Sequence, residues 1–172
     1  MAIRTKMGAI NPAWLQRLRH KRGFGVHSPF AFRFITEVLN APRGYKFYSE
    51  VQCAGSDRRI LARLQGRFAP KNTVYIGKRA IALAPKEVKH ENANLAAADF
   101  VVIDLRTADV NQELIERISK GELLVYAFNH NKGRIERLIS AMPCGMSFRN
   151  SRSRAVLVVH SNLPRQDFLV SY

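Results

Sequence analysis

The chain has 172 residues, 47% of them hydrophobic and 24% charged, which suits one globular domain with a real core and excludes a disordered polymer. Its 28 Lys and Arg stand against 13 Asp and Glu, a formal charge of +15, and a field of that sign attracts nucleic acid or another polyanion. No apolar run approaches the roughly 18 residues of a membrane-crossing helix. The opening MAIRTKMGAINPAW carries no apolar stretch of signal-peptide length, so the expected compartment is the cytosol. Cys53 and Cys144 lie far apart and in no metal-ligand spacing; two reduced thiols are the expectation for such a chain.

In NPAWLQRLRHKRG, Asn11 is placed to cap a helix, Pro12 to open it and Gly23 to stop it. Trp14, Leu15 and Leu18 form its apolar stripe, with Arg17, Arg19, Lys21 and Arg22 around it. A second helix begins in RGFGVHSPFAFRF: Ser28 fits the N-cap, Pro29 the first helical position, and Phe30, Phe34, Ile35 and Val38 recur at helical spacing. NAPRG, Asn40 to Gly44, ends it. The third, SDRRILARLQGRF, starts from the N-cap candidate Ser56 and should bury Ile60, Leu61, Leu64 and Phe68.

From Thr73 the pattern changes to short apolar runs separated by helical stretches. TVYIG, AIALA, DFVVIDL and ELLVYAF read as strands, and continuous runs such as VVID suit a sheet covered on both faces. NQELIERISKG reads as a helix with Leu114, Ile115 and Ile118 inward and Gly121 at its end, and KGRIERLISAM as another. The remainder, GMSFRNSRSRAVLVVHS to RQDFLVSY, reads as a hairpin and a final strand. Strand–helix–strand alternation with an antiparallel end predicts a three-layer α/β fold.

GVHSPF, continued through FITEVLNAPRGYKFYS, resembles a bacterial group within the class I S-adenosylmethionine-dependent methyltransferase superfamily whose N-terminal helical cap carries GxHSPF. The resemblance spans residues 14–50. ADFVVIDL is similar to the fourth strand of that family's sheet, GELLVYAF to the fifth, and the hairpin with DFLVSY to the sixth and seventh. It implies a seven-stranded Rossmann-like sheet that holds S-adenosylmethionine beyond the C-terminal ends of its first strands. The expected architecture is a Rossmann-like α/β sheet, reduced in strand number, with a helical cap over residues 1–70, a core over residues 71–172 and an antiparallel C-terminal hairpin.

The chain departs from the resemblance where the cofactor should sit. The family pattern ends strand one on an acid and a glycine-rich turn, because a bare backbone can approach the cofactor closely. Here VYIGKRAIALAP puts Tyr75 at the acidic position and leaves Gly77 without a second glycine, with Lys78 and Arg79 in the turn. No acid appears before Glu87 to take the ribose hydroxyls. Residues 78–103 are also too few for two further strands with their crossovers, so either strands are lost or AIALAP is a shortened second strand. Gly77 and Asp104 are the cofactor-binding candidates if the pocket is kept.

Asp104, at the end of VVID, lies where a catalytic acid would stand in an α/β crevice; pairing with an arginine is the alternative. His27 and Ser28 are adjacent but read as helix start rather than nucleophile and base. Asp99 and Asp109 read as strand-edge and turn residues, and His90, His130 and His160 share no metal-ligand spacing. Lys21, Arg22, Lys78, Arg79, Arg149, Arg152 and Arg154 are the candidates for a polyanion surface. Tyr45, Phe47 and Tyr48 around Lys46 suit either base stacking or packing of the cap.

The sequence therefore points to a methyltransferase-like protein that has lost its cofactor and its catalysis. An active methyltransferase rebuilt around Gly77 and Asp104 is one alternative, and a basic RNA-binding or polyanion-binding module another. An exposed edge of a shortened sheet would suit a homodimer.

Overall fold

The computed structural model describes residues 27–41, 56–77, 88–89, 94–129, 131–150 and 154–172. The first expected helix, around Trp14, the expected strand AIALA, Cys53 and the Tyr45–Tyr48 cluster lie outside them. Four helices are present among the described residues. Helix α1 (Pro29–Arg33) runs on as a π-helical segment (Phe34–Leu39), followed by α2 (Ser56–Phe68), α3 (Gln112–Ser119) and α4 (Lys132–Ser140). The strands are β1 (Thr73–Ile76), β2 (Val88–Lys89), β3 (Phe100–Asp104), β4 (Leu123–Phe128), β5 (Met146–Asn150), β6 (Arg154–Val159) and β7 (Gln166–Leu169). No helix among the described residues is long and apolar enough to cross a membrane.

The strands form one mixed sheet in the order β2-β1-β3-β4-β6-β5-β7. β2, β1, β3 and β4 run parallel, β6 is antiparallel to both β4 and β5, and β7 joins β5 in parallel. The hairpin is thus β5–β6, and DFLVSY supplies an additional edge strand rather than one member of a terminal pair. Seven strands are present among the described residues, so the expected reduction in strand number is not found. The sheet's edge beyond β1 is β2, Val88–Lys89.

Alternation along the strands explains the three layers. Tyr75, Phe100, Val102, Leu124, Tyr126, Phe148 and Val156 point to one face, where α1, its π-helical continuation and α2 pack. Val74, Val101, Ile103, Val125, Ala127, Ala155 and Leu157 point to the other, against α3 and α4. Because both faces are covered, β3 and β4 are buried at every position. Leu114 and Ile118 of α3 are buried as expected, whereas Ile115 is only half-buried at the side of the layer.

The start of α1 follows local physics. Ser28 is extended (φ −78°, ψ 119°), and its hydroxyl accepts from the Ala31 N–H at 3.3 Å, with Pro29 next in line. Ser28 is therefore the N-cap of a helix, and His27 beside it is exposed. The helix drives Phe34 into the sheet, its ring 4.6 Å from Phe148 and 6.0 Å from Phe68. Phe148 in turn stacks on Phe168 of β7 at 5.3 Å, so one aromatic chain links α1 to the sheet edge. At the π-helical end Asn40 donates its N–H to the Ile35 carbonyl. The neighbouring carbonyls of Val38, Leu39 and Ala41 accept from Arg63 of α2, each at 3.0 Å. Gly145 precedes β5 at φ +101°, and a Cβ there would lie 2.2 Å from the Val158 carbonyl oxygen. Only glycine lets that turn close on β6.

Loss of the cap and loss of the anchor should separate cleanly in urea unfolding. Ser28→Ala is expected to cost about 1 kcal/mol and Phe34→Ala about 3–5 kcal/mol, while Phe32→Ala, 46% exposed in the same helix, should change stability by less than about 0.5 kcal/mol.

Candidate functional site

Leaving β1, the chain passes to β2 on one side, and it returns as β3 on the other. In an open α/β sheet such a reversal opens a crevice at the carboxyl ends of the two strands, the usual seat of a ligand. Gly77 follows β1 and Asp104 ends β3, so the sequence candidates meet at this place.

The residues here are closely packed. Tyr75 is fully buried and Asp104 is 4% exposed. Gly77 is buried too, at φ +152°. A Cβ on Gly77 would stand 2.9 Å from the Asp104 Cβ and 3.1 Å from both the Tyr75 hydroxyl and Thr107 Oγ1. The absence of a side chain at Gly77 thus accommodates neighbours from this chain's own β1, β3 and the turn after β3.

Asp104 is held by its surroundings. Its Oδ1 accepts from the Arg106 backbone N–H at 2.9 Å and from Asn129 Nδ2 at 2.8 Å, and its carbonyl accepts from the N–H groups of Thr107 and Ala108. The expected arginine partner is not found among the described residues; Arg106 contributes its backbone, not its guanidinium. Asn129 is the residue that sequence reasoning missed. It sits just after β4 at φ +61°, a conformation Asn tolerates better than most side chains.

Tyr75 replaces the expected acid with a neutral group. Burial, and then the nearby Asp104 charge, push its phenol up to about 12, so the hydroxyl stays protonated at neutral pH. One register position runs across the sheet from Tyr75 through Val102 to Tyr126. Tyr126 is also fully buried, and its hydroxyl donates to Asp57 Oδ1 at 2.6 Å. Arg154 Nε donates to the same oxygen at 2.6 Å, while its Nη2 donates to Asp57 Oδ2 at 3.2 Å and to Ser56 Oγ at 2.6 Å. Ser56 is accordingly the first residue of α2 with its hydroxyl turned to Arg154.

Of the basic candidates, Lys21, Arg22, Lys78, Arg79 and Arg152 lie outside the described residues. The other two are engaged within the fold: Arg154 with Asp57, and Arg149 through Nε to Asp167 Oδ1 at 3.1 Å and through a second, shorter bond to Oδ2. Asp99 accepts from the N–H groups of Lys71 and Asn72 at the start of β1, and Asp109 pairs with Arg134. Cys144 is a free, partly exposed thiol. Among the described residues no three His, Cys, Asp or Glu side chains converge as metal ligands would.

Comparison of the chain with protein-family models, with curated proteins and with solved structures gives no match.

The buried phenols couple the stability of the fold to alkaline pH. Tyr75 titrates near 12 in the folded chain and near 10 when unfolded, so the folded state holds its proton longer. The contribution is complete below about pH 10 and is lost as pH rises toward about 12; Tyr126 and Tyr172, raised by burial, act in the same direction. Urea unfolding from about pH 9 to about pH 11.5 should show stability falling less steeply for Tyr75→Phe than for the parent chain. Equal slopes would place Tyr75 in a solvated setting.

Proposed function

We propose that the chain is a methyltransferase-like protein with a Rossmann-like sheet that has kept the scaffold and lost S-adenosylmethionine binding, and with it catalysis. The scaffold half of this reading rests on order. Three parallel strands, β1, β3 and β4, are followed by an antiparallel hairpin strand, and helices cover both faces. That layout matches the family resemblance of GVHSPF and of the strands VVID and LLVYAF.

The loss of binding rests on one observation: the packing of Tyr75, Asp104 and Thr107 around Gly77. A cofactor at the switch point needs bare backbone to approach and an acidic group for its ribose hydroxyls. Here the strand-one acid is a buried, neutral phenol, and the side chains of Tyr75, Asp104 and Thr107 crowd the place where a Cβ of Gly77 would stand. Asp104, the remaining acid, has its Oδ1 engaged by the Arg106 N–H and Asn129. These residues do not fit the cofactor. They fit strand ends packed against one another, with Asp104 tying β3 to the end of β4 instead of meeting a substrate.

Titration calorimetry of the folded chain with S-adenosylmethionine, and separately with S-adenosylhomocysteine, tests the reading. The expected result is no saturable heat at micromolar ligand. A saturable one-to-one isotherm with either compound would return the protein to the active methyltransferases.

A further inference from the structure

We propose that a groove between α1 and the last turn of α2 binds a small aromatic organic anion of the mononucleotide class. The groove has a volume of about 280 Å³ and is lined by Pro29, Phe30, Arg33, Phe34, Glu37 and Arg67. It is lined by different residues from the crevice at Gly77 and stands or falls independently of the reading given for that crevice.

Three features define what the groove can hold. Phe30 and Phe34 have nearly parallel rings, 5.9 Å apart with 8° between their planes. Phe34 is fixed in the core while Phe30 is only half-buried, so Phe30 offers a stiff aromatic surface to a ring laid against it. Arg33 and Arg67 are exposed beside it, and among the described residues neither guanidinium is in a hydrogen bond or ion pair. This sets them apart from Arg63, Arg117, Arg134, Arg149 and Arg154, all committed to carbonyls or carboxylates of the fold. A guanidinium offers a planar fork of donors that matches a phosphate. Glu37, the one acid of the groove, leaves two cations against one anion and supplies an acceptor for an amine or hydroxyl of the ligand.

A ring, a phosphate and a donor group within one small volume describe a nucleoside monophosphate. The volume is at the lower limit for small-molecule pockets and suits a nucleoside with one phosphate better than a di- or triphosphate. Neither the aromatic face nor the cations alone would select it.

The test uses the whole chain with adenosine monophosphate, adenosine and ribose 5-phosphate in parallel calorimetric titrations up to millimolar ligand. Adenosine monophosphate should bind saturably and more tightly than either fragment. The double variant Arg33→Gln/Arg67→Gln should weaken it at least about tenfold with an unchanged thermal midpoint, and Glu37→Gln alone should weaken it less. Absence of saturation overturns the proposal, as does equal binding of adenosine or of ribose 5-phosphate. Unchanged affinity in the double variant overturns it too, because the nucleotide would then be held elsewhere.

Discussion

The Asp57 carboxylate, in the first turn of α2, is the point at which the helical layer is fastened to the sheet. It accepts from the Tyr126 hydroxyl in the middle of β4 and from the Arg154 guanidinium at the start of β6. An acid in a helix's first turn is favoured by the macrodipole, and charge-assisted bonds in a partly desolvated setting are stronger than neutral ones. The same three groups lie beside Tyr172, whose hydroxyl donates to the Phe148 carbonyl and whose own carbonyl accepts from Asn150. The C-terminal segment is thereby drawn into the node that positions α2. With α2 fixed, Arg63 reaches the carbonyls at the end of the π-helical segment, and α1 is held with Phe34 in the core.

The arginines show how a strongly basic composition can serve a fold. Arg117 of α3 donates to the carbonyls of Ala98, Gly121 and Glu122 at 2.6, 2.7 and 3.0 Å, tying both connections beside β3 and β4. Arg134 of α4 donates to the carbonyls of Leu105 and Ala108, at 2.6 and 3.2 Å, and pairs with Asp109, which fixes the loop after β3. Buried carbonyls need donors, and a guanidinium can satisfy two or three at once. Part of the positive charge is therefore internal to the architecture. Arg149 and Arg154, polyanion candidates in the sequence, each have a carboxylate partner within the fold, Asp167 and Asp57.

Much of this was legible in the sequence because it depends on neighbours along the chain. Ser28 and Pro29 start a helix by local capping, Phe34 and Val38 bury by period, and VVID and LLVYAF are buried runs between two covered faces. The meeting of Gly77 and Asp104 was legible as well, since strand ends at a switch point share one place. What was not legible depends on distant partners. Nothing in SDRR tells that Asp57 will face Tyr126 and Arg154, and a carbonyl acceptor leaves no mark in residue type, so the tasks of Arg63, Arg117 and Arg134 are hidden. Asn129 was hidden by its resemblance to any turn residue. Whether an arginine or a backbone N–H would meet Asp104 is decided by loop geometry within two residues, below what spacing can resolve.

A double-mutant cycle between Tyr126→Phe and Asp57→Ala, read by urea unfolding, tests the central claim most directly. If Asp57 fastens the helical layer through Tyr126, the two substitutions should couple by about 1–3 kcal/mol. Additivity within about 0.3 kcal/mol would contradict the claim, because Asp57 would then not fasten the helical layer through Tyr126.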